Sequence, residues 1–163
     1  MNLLFIILLS AWALGWVFLP LTFWRDNLRG NAKNWPGVIV MRRGLDCPGA
    51  VWAQEFYEAR RGWRWLPVSV PALVLGRFIP RLDFWRRYQE LMGHEVEVWA
   101  EKAFSGADPH RVRLREADAL TRYPAFKGWT AAEIYAAMEE RAPDARKFVE
   151  RHWRKIQRME TER

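Results

Sequence analysis

The stretch that decides how this chain reads runs from Val51 to Gly62, VWAQEFYEARRG. Wound as a helix at 100° per residue, it gathers Val51, Trp52, Phe56 and Ala59 on one side and sets Glu55 within that apolar arc, with Glu58 at its edge. A second helix is predicted from Arg81 to Phe104, opened by Pro80 and closed at Ser105-Gly106. Its apolar arc carries Leu91, Met92, Val96, Val98 and Trp99, with Glu95 near the middle and His94 at the margin. Each helix thus aims one carboxylate into its own apolar face. A buried carboxylate is costly unless it is paired, hydrogen-bonded to a cation or bound to a metal. Glu55 and Glu95 are therefore expected to approach each other, with Glu58 and His94 close enough to join them.

The rest of the body reads as mainly α. Gly37–Arg42, GVIVMR, is the one short strand signal, and Asp46-Cys47-Pro48-Gly49 is a turn leading into the first helix. A third helix is predicted over His110–Arg122, a capping box at Thr130-Ala-Ala-Glu133 opens a fourth, and Asp144 caps a last helix through Phe148, Val149, Trp153 and Ile156. His110 and His152 stand among charges and are expected on the surface; Trp129 and Trp153 read as packing anchors.

Upstream, Leu3–Trp24 carries no charge over about 22 positions, long enough as a helix to cross a hydrocarbon core of roughly 30 Å. It reads as a single-pass transmembrane anchor, although Gly15 and Pro20 make it irregular. Arg25, Arg29 and Lys33 follow it, which by the positive-inside rule favours a cytoplasmic body. A cleaved leader would have a basic start and a small-residue cleavage site, neither of which is clear. A second apolar stretch, Trp65–Pro80, is too short to span and carries Pro67, Pro71, Gly76 and Arg77; it reads as a buried connection or as a segment in the bilayer interface. The resulting division is a 1–24 anchor, a 25–109 helical core and a 110–163 basic helical region.

The 163 residues carry 26 Lys+Arg against 19 Asp+Glu, a formal +7, and eleven tryptophans. That balance favours a membrane, with anionic lipid or cell-wall polymer as neighbour. The cations are interspersed with acids and no recognition motif is present, which argues against specific nucleic-acid binding. Cys47, the single cysteine, closes no intrachain disulfide.

The order of strand, helix with Gln54-Glu55-Phe56-Tyr57-Glu58, apolar connection and second helix with an acid resembles the gluzincin type of zincin metallopeptidase, particularly small membrane-tethered or phage-encoded members, over roughly 38–104. The resemblance implies a zincin-like two-helix core. Glu55 takes the place of the catalytic base, Gln54 and Glu58 stand where the family has its two histidines, and Glu95 takes the place of the third ligand. With His94 beside it, the set Glu58, His94 and Glu95 would offer a site to zinc, manganese or iron.

Loss of both helix histidines leads to the expectation of an altered, inactive site in a zincin-like protein of bacterial or phage origin. The alternatives are an active metal-dependent hydrolase of peptide or cell-wall material and a structural envelope or lysis protein. A further reading of the same acids is a polar network in which Glu55 or Glu95 is held by arginine or tyrosine.

Overall fold

The computed structural model of the protein describes residue 10 and residues 21–26, 31–35, 38–64 and 83–161. Among these, five helices and a three-stranded sheet form: β1 (Leu21–Arg25), β2 (Ala32–Trp35), β3 (Val38–Arg42), α1 (Pro48–Arg64), α2 (Asp83–Ser105), α3 (Pro109–Leu120), α4 (Ala131–Glu139) and α5 (Ala142–Thr161), with a 3-10 turn at Pro124–Phe126. The mainly α expectation holds, and the five helices lie close to where their sequence signals put them, except that the last begins at Ala142, so Asp144, expected as its cap, is an acid within its first turn.

The end of the expected anchor does not. Leu21–Trp24 belongs to β1, which runs parallel to β3 with Leu21 opposite Val38 and Arg25 opposite Arg42. Extended backbone there is favoured because Thr22 and Trp24 find inward partners: Thr22 Oγ1 accepts from the Trp52 indole at 2.9 Å, and Trp24 packs on the core. Leu21 and Phe23, on the other face, stay exposed. Apart from residue 10, the remainder of Leu3–Trp24 lies outside the described residues, as does the apolar stretch Trp65–Pro80. No helix among the described residues is long and apolar enough to cross a membrane.

β3 lies between β1 and the antiparallel β2 and turns Ile39 and Met41 inward beneath α1. α1 is buried nearly all round, from Ala50 to Tyr57, because the sheet, α2 and α5 each take one of its faces. Pro48 tolerates the first turn, where its missing N–H has no intrahelical partner to lose. The next amide, Gly49 N–H, donates to Glu160 of α5 at 2.7 Å, and the Phe104 ring and Glu160 leave no room for a Cβ at Gly49. Chain positions 111 apart are thereby joined at a helix terminus.

α2 is the shared wall of the molecule, and its sequence divides it into three faces. Met92, Val96 and Ala100, spaced by four, pack with α1 and with Ala145, Val149 and Ile156 of α5. Leu91 and Val98 turn the other way, into a cluster with Val112, Leu120, Phe126, Ile134 and Met138. His94, Glu97 and Glu101 lie on the remaining arc. The chain after residue 109 therefore packs on both sides of α2. Gly106, with φ +71°, ends α2 by donating its amide to Lys102 O. Asp108 caps α3, and the expected Thr130–Glu133 capping box opens α4.

Candidate functional site

α1 and α2 approach closely because residue 93 is glycine: a Cβ there would collide with the Glu58 carboxylate and meet the Gln54 side chain. Gln54 donates to Glu58 Oε1 at 3.2 Å. Beside this contact opens a cleft of about 670 Å³ bounded by α1, α2, α3 and the turn after β3. Its acids are Asp46, Glu55, Glu97, Glu101 and Glu116, set against Arg42, Arg115 and His94. In a chain of net +7, this is a locally acidic chamber.

His94 is its centre. The ring is buried, its Nδ1 lies 2.8 Å from Glu116 Oε2 and 3.8 Å from Glu97 Oε2, and Tyr123 stands edge-on to it. Nε2 is buried with no hydrogen-bond partner. Burial pulls the imidazole pKa down, but the Glu116 hydrogen bond and the charges of Glu97, Glu116 and Glu58 outweigh it and hold the group up at about 9. Burial, with Glu116 close by, pushes the Glu97 carboxyl up to about 7 against the opposing pull of His94 and Arg115. Glu116 stays below the ordinary carboxylate range because its hydrogen bonds from His94 and Arg115 overcome its burial. Arg115 spans two acids, donating to Glu101 at 2.7 Å and to Glu116 at 2.9 Å. Tyr123 is raised by burial and then by Glu90, Glu58, Glu55 and Glu116, a mark of the negative field above it.

One donor atom from each of His94, Glu97 and Glu116 lies within 4.8 Å of the others, and the three could hold a metal ion. Ligands bound at about 2.0–2.2 Å in a tetrahedral site sit roughly 3.4 Å apart, so an ion would replace the His94–Glu116 hydrogen bond of 2.8 Å and move that pair slightly apart. The donor set fits: one imidazole and two carboxylates suit a borderline or hard divalent cation. A neutral imidazole is needed to bind, so metal uptake would release the proton that His94 holds.

Of the residues singled out in sequence, Glu55 and His94 line the same cleft, and Glu58 lies beside Gly93 with its charge acting on His94. Glu95, expected as the third ligand, is elsewhere. It is fully buried and gripped by Arg113, whose Nε and Nη2 donate to its two oxygens at 2.8 and 2.7 Å, while the Trp99 indole adds a third bond at 2.9 Å. Arg113 also donates to Tyr135. The physical reason is rotation: one residue along a helix turns the side chain by 100°, so Glu95 faces α3 and α4 when His94 faces the cleft.

The carboxylates that do meet His94 are Glu97 and Glu116, which the sequence reading missed. Glu97 was available from spacing, since 94, 97 and 101 share an arc. Glu116 was available from α3, where Val112, Arg113, Glu116, Ala117 and Leu120 form the buried face. His152, expected on the surface, is buried between Phe56 and Phe148. Comparison with protein-family models, curated proteins and solved structures finds no match.

Proposed function

We propose that the chain is a membrane-associated, zincin-like cation-binding protein whose metal centre is His94, Glu97 and Glu116 and whose general peptidase activity is lost. The observation that carries this reading is the convergence of those three side chains in a cleft that α1 lines with Glu55. The first-helix positions that a gluzincin gives to histidines hold Gln54 and Glu58, bonded to each other against Gly93. The ligand burden falls instead on α2 and α3. One imidazole with two carboxylates points to zinc, manganese or iron(II). Such an ion, when bound, supplies Lewis acidity and lowers the pKa of water. Two carboxylate ligands donate more negative charge than two imidazoles would, which weakens that effect. Membrane association rests on the uncharged run 3–20, about 18 residues or roughly 27 Å as a helix.

An active metal-dependent hydrolase is the second reading, favoured by the presence of Glu55 in the same cleft as His94 and by the Glu97 carboxyl, which burial pushes up to about 7. The test is turnover of peptide and peptidoglycan substrates by full-length protein supplied with zinc, manganese or iron(II), wild type against Glu55→Gln. No turnover, with stoichiometric metal bound, is the expected result. Metal-dependent turnover abolished by the substitution would establish the hydrolase.

A further inference from the structure

α5 carries a feature that the cleft does not use. Its buried residues, Ala145, Val149, His152 and Ile156, recur at intervals of four, three and four and seat it against α1 and α2. Lys147, Arg151, Arg154, Lys155 and Arg158 are all exposed. At 100° per residue these five fall within an arc of about 100°, roughly 150° round the helix from the buried face. They extend over about 17 Å of helix.

None of the five makes an ion pair with an acid among the described residues. By contrast, Arg146 on the same helix pairs with Glu150, and Arg113, Arg115 and Arg122 all have acidic partners. A row of unpaired cations repels itself, and Arg151 and Lys155 also act against protonation of His152. Water and salt screen such a stripe, and an anionic surface from outside the described fold would meet it uncompensated.

We propose that this stripe of α5 docks on an anionic lipid surface. Charge complementarity calls for a polyanion, and the straight, one-sided row fits a planar one. The chain itself supplies the reason to choose a membrane over nucleic acid. Its sequence holds the uncharged run 3–20 and the apolar stretch 65–80 with tryptophan and arginine at its border, both suited to the same bilayer. A headgroup-level cation contributes about 1 kcal/mol, roughly fivefold in binding per residue, and the contribution is screened by salt.

The test uses full-length protein, diluted from mild detergent, with vesicles of phosphatidylcholine alone or with about one-third phosphatidylglycerol. Because the apolar segments contribute to both compositions, the ratio of the two partition coefficients isolates the stripe. Wild type is expected to favour the anionic vesicles by a hundredfold or more at low salt. Lys147→Gln/Arg151→Gln/Arg154→Gln should cut that ratio about a hundredfold while leaving the circular dichroism spectrum and the binding to neutral vesicles unchanged. Arg146→Gln/Arg122→Gln, which removes paired cations, should leave the ratio within a few fold. Equal partition of wild type into both vesicles, or an undiminished ratio in the triple variant, overturns the proposal. So does duplex DNA that, at equal phosphate concentration, strips wild type from anionic vesicles, which would assign the stripe to nucleic acid.

Discussion

His94 and Glu95 are neighbours in sequence, both buried, and opposite in what surrounds them. Glu95 has a cation matched to it atom for atom: Arg113 takes both oxygens, and Trp99 completes the shell. His94 faces an excess of acid, with Glu97 and Glu116 against one imidazole and part of one arginine. The first arrangement is closed and neutral; the second opens on a cleft and can take up more positive charge. Buried charge alone therefore does not mark a site. Imbalance beside an accessible space is what sets the proposed cation site apart.

The contrast breaks most readily at the balanced pair. Arg113→Met leaves the Glu95 carboxylate buried without its cation and should cost about 3–5 kcal/mol in urea unfolding, whereas Glu95→Leu/Arg113→Met should recover most of the loss. Metal binding should be unaffected in any variant that stays folded.

Gly93→Ala comes next. Its methyl would drive Glu58 and Gln54 from their places between α1 and α2, an overpacking cost of about 1–3 kcal/mol readable as a lower unfolding midpoint.

In the acidic cleft the sign reverses. Glu97→Gln removes a carboxylate that burial and Glu116 make unfavourable, and should stabilise the metal-free protein at pH 8 by an amount on the order of 1 kcal/mol. A loss comparable to that of Arg113→Met would show that Glu97 is a structural ion-pair partner like Glu95.

A second histidine sharpens the comparison through pH. His152 is held down at about 4 by burial and then by Arg60, Lys155 and Arg151, and Phe56 and Phe148 enclose its ring. Arg60 Nη1 lies 3.2 Å from Nε2 and can only donate, so His152 carries its proton on Nδ1. Between pH 6.5 and 4 the unfolded chain binds a proton that the folded one does not. Its contribution to stability is thus complete above pH 6.5 and lost as pH falls toward 4. The stability of a His152→Gln variant should fall less steeply than that of wild type across this window.

Much of this was legible in the sequence, and the failures are physical. Helical period placed Glu55 and Glu95 inside correctly, whereas His94, set at the margin of the apolar arc, is buried as well. It could not say which neighbour each would meet, since that depends on α3 packing against α2. Arg113 and Glu116 lie in the apolar stripe of α3 and were open to the same reading. His152 was obscured by the charges beside it in ERHWRK, although its spacing from Val149 and Ile156 turns it inward. β1 was misread because Leu-Thr-Phe-Trp is apolar enough to extend a helical anchor, and the Thr22–Trp52 hydrogen bond that favours a strand exists only after folding. β2, AKNW, has no alternation strong enough to announce itself.

The central claim, that the cation centre lies at His94, Glu97 and Glu116, is tested most directly by calorimetric titration of manganese or zinc into metal-stripped full-length protein. Wild type should take up one ion per chain, Glu97→Gln/Glu116→Gln should lose that uptake, and Glu58→Gln should keep it. Uptake that survives the double substitution, or that disappears with Glu58→Gln alone, would contradict the assignment and return the metal to the first helix.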